Sequence, residues 1–175
     1  KKLADIASKM DTDDAATLIQ NISEDNEEIS QNILNRFDDE DKELIEQLIS
    51  YEENEAGSYM QTELFSANID EKIGIALERL KELKTSGEVD NIWHVHLVNS
   101  RNKYLGSIGL EELIIFDHEL NFEDIPYDKH KNYSVNHKDD IKNVVEIVTN
   151  YNLNSIAVVD DKNRLIGRIT SDDIY

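Results

Sequence analysis

Ile169-Thr-Ser-Asp-Asp173 sets a hydroxyl, Thr170, three residues ahead of a carboxylate, Asp173, at the point where an apolar run gives way to acid. At a helix start such a pair has two uses. The hydroxyl can cap the helix, or bond a phosphate held against the positive helix end. The carboxylate one turn on can accept from two neighbouring hydroxyls. His94 and His96, two apart in an apolar run, would share one strand face and make half of a metal site. No third ligand is evident beside them, so packing around Trp93–His96 accounts for them better. His118, His130 and His137 are scattered.

The formal charge of −20 argues against nucleic acid as a partner, because phosphate binding needs Lys and Arg. It suits cations, basic partners or a highly solvated surface. Residues 1–55 carry a net −12 and residues 56–175 a net −8, so the shorter piece is the more acidic. The absence of cysteine excludes disulfides, thiolate metal sites and thiol catalysis. Many carboxylates and few histidines favour a hard cation. Mg²⁺ prefers oxygen ligands and keeps several waters, so one or two carboxylates facing across a cleft suffice to hold it. Two acidic surfaces repel, and a divalent ion between them biases a two-state arrangement. No nucleophile–base pair, P-loop or glycine-rich turn is evident, so the chain is not expected to be an enzyme. No apolar run approaches the ~20 residues of a membrane helix. The chain begins at Lys1 within a helical pattern and ends at Tyr175 just as a helix begins, so a piece of a longer protein is expected.

The elements that must position these groups fall into two kinds. Residues 1–50 have helical periodicity and no strand signal. Ala15, Leu18, Ile19 and Ile22 make one stripe, with Asp11 or Thr12 as cap. Ile29, Ile33, Leu34 and Phe37 make the next, with Ser23 as cap. Leu44, Ile45, Leu48 and Ile49 make a third, with Asp38 or Asp39 as cap. Narrow stripes on acidic helices require stacking into a small bundle or superhelix. Tyr51-Glu-Glu-Asn-Glu-Ala-Gly-Ser-Tyr-Met60 then reads as a linker or hinge, broken at Gly57.

The remainder is a duplication. Ser155–Ile174 slid back by 61 residues lies without a gap on His94–Leu113, matching Val98 with Val159, Asn102 with Asn163 and Gly106 with Gly167. Each copy reads as a short extended segment (Thr62–Ser66, Tyr133–Val135), a helix, two strands around a polar turn, and a second helix. Asp70 is the expected cap of the first copy's helix, with Ile73, Ala76, Leu77 and Leu80 on one face. Lys138–Asp140 begin the matching helix, with Ile141, Val144, Val145 and Val148. A three-stranded sheet is too small to stand alone, and two such units packed together solve that problem.

This β-α-β-β-α order resembles the CBS (cystathionine β-synthase) domain pair over about residues 60–175, most specifically in Val158-Val-Asp-Asp-Lys-Asn-Arg-Leu-Ile-Gly167 and Ile169-Thr-Ser-Asp-Asp173. The resemblance implies that Thr170 and Asp173 meet a nucleotide's phosphate and ribose, and that His94 stands where an adenine can stack. In the first copy the matching positions are Gly109 and Glu112. Glu112 can still reach a ribose, but the hydroxyl is gone and Glu111 repels phosphate, so at most one site looks intact. The alternative role of Thr170 is to cap the helix.

With the acidic helices and the Tyr-Glu-Glu-x-Glu-Ala-Gly-x-x-Met junction, the whole chain resembles the cytosolic part of the MgtE-type magnesium transporter and channel family. The resemblance implies an α+β fold: an all-α N domain at 1–55, a linker and first CBS repeat at 56–118, and a second CBS repeat at 119–175, ahead of a membrane domain. It also implies Mg²⁺ between acidic faces, held by Asp13 and Asp14 against Asp172 and Asp173, with loss of the ions letting domains separate and a pore open. Thr17, Lys142 and Asn152 stand where acidic residues are expected. A homodimer through the CBS repeats, and a location at the cytoplasmic face of the membrane, belong to the same expectation. The rival expectations are a CBS module of another protein sensing ATP or AMP, and a structural dimerisation module.

Overall fold

The computed structural model describes residues 2–7, 9–127 and 133–175, which leaves His130 outside. Four helices come first: α1 (Lys2–Ala7), α2 (Thr12–Asp25), α3 (Glu27–Leu34) and α4 (Asp39–Ser50). The apolar stripes explain their packing. Ala15, Ile19, Ile33, Leu34, Ile45 and Leu48 are buried together, whereas Ile29 is 45% exposed and drops out of its stripe. Asp38 caps α4 by accepting from the Asp41 amide. Ser23 does not begin a helix. Its hydroxyl donates back to the Ile19 carbonyl, α2 runs on, and Asn26 caps α3 through the Ile29 amide.

Two mixed sheets follow. The first holds β1 (Ser66–Asn68), β2 (His94–Val98) and β3 (Tyr104–Gly109), with α5 (Ile73–Ser86) between β1 and β2. The second holds β4 (Ser134–Asn136), β5 (Ser155–Val159) and β6 (Leu165–Thr170), with α6 (Ile141–Asn150) between β4 and β5, and α7 (Ser171–Ile174) ends the chain. In each sheet the first pairing is parallel and the second antiparallel, with a register shift at Leu97/Val98 in one and Val158/Val159 in the other. The duplication therefore reaches individual irregularities. Asn102 and Asn163 both have φ of 60°, and Asn91 and Asn152 have 49° and 51°. The two hairpins also join reciprocally: Tyr104 N donates to Asn163 O, and Leu165 N to Asn102 O.

Three further expectations are corrected. Asp70 does not cap α5. The free amides of Ile73 and Gly74 bond the carbonyls of Leu120 and His118, so a later loop closes that helix end. The segment after β3 is a 3-10 helix, Leu110–Ile115. The supposed hinge is packed: Tyr51, Ala56 and Met60 are 8%, 0% and 1% exposed. Ala56 N and Gly57 N donate to Asp139 O and His137 O, and the Tyr51 hydroxyl lies 2.7 Å from His137 Nδ1. One apolar core consequently runs from the N-terminal helices through this junction into Val144, Val148, Val158 and Ile169 of the second repeat. Each such buried side chain contributes roughly 1.5–3 kcal/mol, which makes the junction a rigid anchor.

Candidate functional site

The site forms where α2 begins. Asp11 takes the cap position there, but its side chain makes no capping bond. A carboxylate from elsewhere replaces it: Glu63 Oε1 accepts from the Thr12 amide at 3.1 Å and from the Thr12 hydroxyl at 2.9 Å. Negative charge at this helix end is favourable, and it releases Asp11 to face outward. Glu63 Oε2 is buried with no hydrogen-bond partner. The segment carrying Glu63 is held by a two-way backbone bridge between Gln61 and Arg168 of β6. That approach needs Gly167, because a Cβ there would lie 2.8 Å from Gln61 O and from Met60 Sδ.

Asp13 and Asp14 occupy the first turn of α2, and oxygens of Asp11, Asp13 and Asp14 lie within 4.8 Å of one another. A short rotamer change, or the ion's own waters, brings such a set onto one cation. Burial, followed by repulsion from Asp14, Glu63 and Asp173, pushes the Asp13 carboxyl up to about 6. Asp11 is raised by burial, then by Glu63, Asp14 and Asp90. Thus the structure brings Asp13, Asp14 and Asp173 into one electrostatic neighbourhood. Asp172 lines a cleft of about 180 Å³ together with Asp11, Glu63, Asp90, Arg168 and Thr170. Lys142 and Asn152 are exposed, and the Thr17 hydroxyl is spent on the Asp13 carbonyl.

Thr170 and Asp173 close on each other. The Thr170 amide and hydroxyl both donate to Asp173 Oδ2, at 2.8 and 2.9 Å, while Gln61 Nε2 reaches both Asp173 oxygens at 3.1 Å. His94 and Glu112 lie apart from this pair. His94 opens on a crevice of about 40 Å³ between the repeats; burial lowers its pKa and the Glu112 charge raises it. His96, 4% exposed, is driven down to about 3 by burial, with the His94 and Arg168 charges adding to the effect. Among the described residues, neither histidine belongs to a group of three metal-ligating side chains.

Glu63, Gln61 and Arg168 do not stand out in the sequence as site residues, and Asp11 stands out only as a helix cap. Arg168 had a signal: a cation within an apolar strand, at the position where the first copy has Ser107. Glu63 had none, since its partner Thr12 is 51 residues away.

The MgtE intracellular N domain family matches residues 1–54, and the CBS domain family matches residues 123–175. The magnesium transporter MgtE of Enterococcus faecalis is 31% identical over 130 residues, covering 74% of this chain and 28% of that protein. The magnesium transporter MgtE of Thermus thermophilus is 25% identical over 162 residues, covering 93% of this chain and 35% of that protein. The chain thus spans about a third of the length of these curated relatives. The crystal structure of the cytosolic domain of the Mg²⁺ channel MgtE in complex with ATP superposes with a TM-score of 0.89 at 24% identity, covering 98% of this chain and 68% of that one. Residues 1–54 thus belong with the MgtE intracellular N domains and residues 123–175 with the CBS domains, and the whole chain has the fold of an MgtE cytosolic domain.

Proposed function

We propose that this chain is the Mg²⁺-sensing regulatory region of a magnesium transporter, at the cytoplasmic face of the membrane, joined to a transmembrane pore domain outside these 175 residues. Carboxylates between the N domain and the second CBS repeat take Mg²⁺ and so gate the pore. The observation that carries this reading is the Asp11–Asp13–Asp14 cluster, whose oxygens lie within 4.8 Å of one another, with Asp13 pushed up to about 6 by burial and by the charges of Asp14, Glu63 and Asp173. A carboxylate raised by burial and like charges is one whose charge lacks compensation, and a divalent cation supplies it. Asp13 and Asp14 on one side, Asp172 and Asp173 on the other, and the unpartnered Oε2 of Glu63 are the donors we assign. Millimolar Mg²⁺ is expected to compact the protein in small-angle scattering and to raise its melting temperature, both reduced in Asp14→Ala/Asp173→Ala. A chain indifferent to Mg²⁺ in both measurements sinks the reading. Pairing of two copies through the CBS repeats belongs to the same proposal, and sedimentation velocity tests it.

Nucleotide is the second reading. Thr170, bonded to Asp173, lines a cleft that also holds Arg168 and Trp93, and His94 with Glu112 are the candidates in the first repeat. ATP or AMP would have to displace the Thr170–Asp173 bond. Calorimetry tests it: heat of binding lost in Thr170→Ala supports a nucleotide-sensing module, and no heat with the unaltered protein removes it.

A further inference from the structure

Arg168 is the buried cation of the cleft, 5% exposed. Its Nη1 donates to Asn91 O at 2.9 Å, and its Nη2 donates to Asp90 O at 2.8 Å and to Gln61 Oε1 at 3.5 Å. Its Nε is buried with no acceptor. All these acceptors are neutral, and none of the ion pairs among the described residues includes Arg168. A buried guanidinium keeps its charge and normally has a carboxylate directly on it. Here the compensation acts at longer range, from Asp173, Glu63 and Asp90. The Asp11–Asp13–Asp14 cluster is differently placed: burial and the charges of Asp14, Glu63 and Asp173 raise the Asp13 carboxyl, and among the described residues none of the three carboxylates is in an ion pair.

We infer that Arg168 is a tethered counter-cation that offsets part of the Glu63 and Asp173 charge and so weakens the hold of the assigned carboxylates on the divalent cation. It is an affinity-setting residue and not a ligand. The inference rests on the divalent-cation reading of the cleft. Its consequence is that the cleft holds together partly without metal and needs a higher Mg²⁺ concentration to fill. The first copy, with Ser107 at the matching position, has no such device.

Trp93, the single tryptophan of the chain, has its ring 6.0 Å from the Arg168 guanidinium carbon, so its fluorescence reports on the cleft. The experiment titrates residues 1–175 with MgCl₂ and compares Arg168→Gln with Arg168→Lys. Removing a fixed positive charge is expected to lower the Mg²⁺ midpoint about fivefold in Arg168→Gln, with Arg168→Lys close to the unaltered protein. In metal-free buffer, NaCl is expected to raise the melting temperature of Arg168→Gln more than that of the other two, because salt screens the uncovered carboxylates. Should Arg168→Gln fail to fold, Arg168→Met, of similar length and apolar, replaces it. A Gln midpoint that is unchanged or higher, or Gln and Lys variants that move together, overturns the inference. If the unaltered protein ignores Mg²⁺, the functional reading falls. The NaCl comparison then judges Arg168 alone, and equal salt dependence in all three proteins overturns it.

Discussion

Thr12 and Glu63 hold the N domain to the segment that enters the CBS pair: the Thr12 amide and hydroxyl both donate to Glu63 Oε1, at 3.1 and 2.9 Å. A helix that lacks its own cap thereby borrows one from another part of the chain. Thr12 is 8% exposed, and its hydroxyl also meets that of Thr62. Thr12→Val keeps the shape and removes the donor, leaving a buried charged acceptor with one bond fewer. Bonds to charged groups are worth about 1.5–3 kcal/mol, so a loss of roughly 2 kcal/mol is expected in urea denaturation. Unchanged stability would show that the contact does not join the two parts.

Asp13 makes stability depend on pH in an unusual direction. Its carboxyl stands at about 6 in the folded protein against an ordinary value of 3.8, so the folded state binds that proton more tightly than the unfolded chain does. The stabilising contribution is complete below 3.8 and is lost as pH rises through about 6. Asp13 is partly exposed, so after screening the loss is on the order of 1 kcal/mol. Asp11 and Asp41 are raised and act with it, whereas Asp90, Asp160 and Asp161 are lowered and act below 3.8. His94 and His96, lowered by burial, add stability as pH rises through the same window, so the Asp13 contribution is read as a difference: metal-free stability is expected to rise more steeply with pH in Asp13→Asn than in the unaltered protein. Stabilisation by Mg²⁺, which needs the ionised form, is expected to grow over the same range. A metal-free curve of the same slope in Asp13→Asn would refute the assignment.

The duplication was legible because it is local. Each matched pair at the 61-residue offset reflects a backbone requirement, and the positive φ of Asn102 and Asn163 is such a requirement. The caps were less legible, because a helix end can be closed by any oxygen the fold delivers, as Leu120 and His118 close α5. The cleft was half legible. Asp13, Asp14, Asp172 and Asp173 stand out as acid at helix starts, but the repulsion that raises Asp13 comes in part from Glu63, and the cation of the cleft is Arg168, both brought in by folding from distant positions. The junction misled for another reason. Glu52, Glu53 and Gly57 read as a break, yet Gly57 is small because the Tyr51 ring covers it.

Gly57 and Gly167 are therefore expected to resist substitution for steric reasons. A Cβ on Gly57 would lie 2.5 Å from the Tyr51 ring, and one on Gly167 would lie 2.8 Å from Gln61 O. The Tyr51 ring can swing at the expense of its bond to His137, whereas the Gln61 backbone is fixed by its bridge to Arg168. Overpacking of this kind costs typically 1–3 kcal/mol. Gly167→Ala is expected near the upper end, with a weakened Mg²⁺ response because Glu63 moves with Gln61. Gly57→Ala is expected to be milder and to leave the Mg²⁺ midpoint in place. Thermal melts with and without Mg²⁺ distinguish the two, and equal effects on the midpoint would contradict the steric assignment.

Asn102 and Asn163 couple the two repeats. Each combines a φ of 60° with a side-chain bond across the pseudo-twofold: Asn102 Nδ2 donates to Leu165 O at 2.9 Å, and Asn163 Nδ2 to Tyr104 O at 3.3 Å. Glycine accepts the backbone angle without strain but gives up the bond, while alanine gives up both. Asn163→Gly is expected to lose about 1 kcal/mol and Asn163→Ala about 2 kcal/mol, with the same order at Asn102. The two residues serve one interface, since Tyr104 N bonds Asn163 O and Leu165 N bonds Asn102 O. The double glycine variant is therefore expected to depart from additivity by more than about 0.5 kcal/mol in a double-mutant cycle. Strict additivity would mean that the two hairpins meet without supporting each other, leaving Val98, Tyr104, Ala157, Val159 and Leu165 as what holds the repeats together.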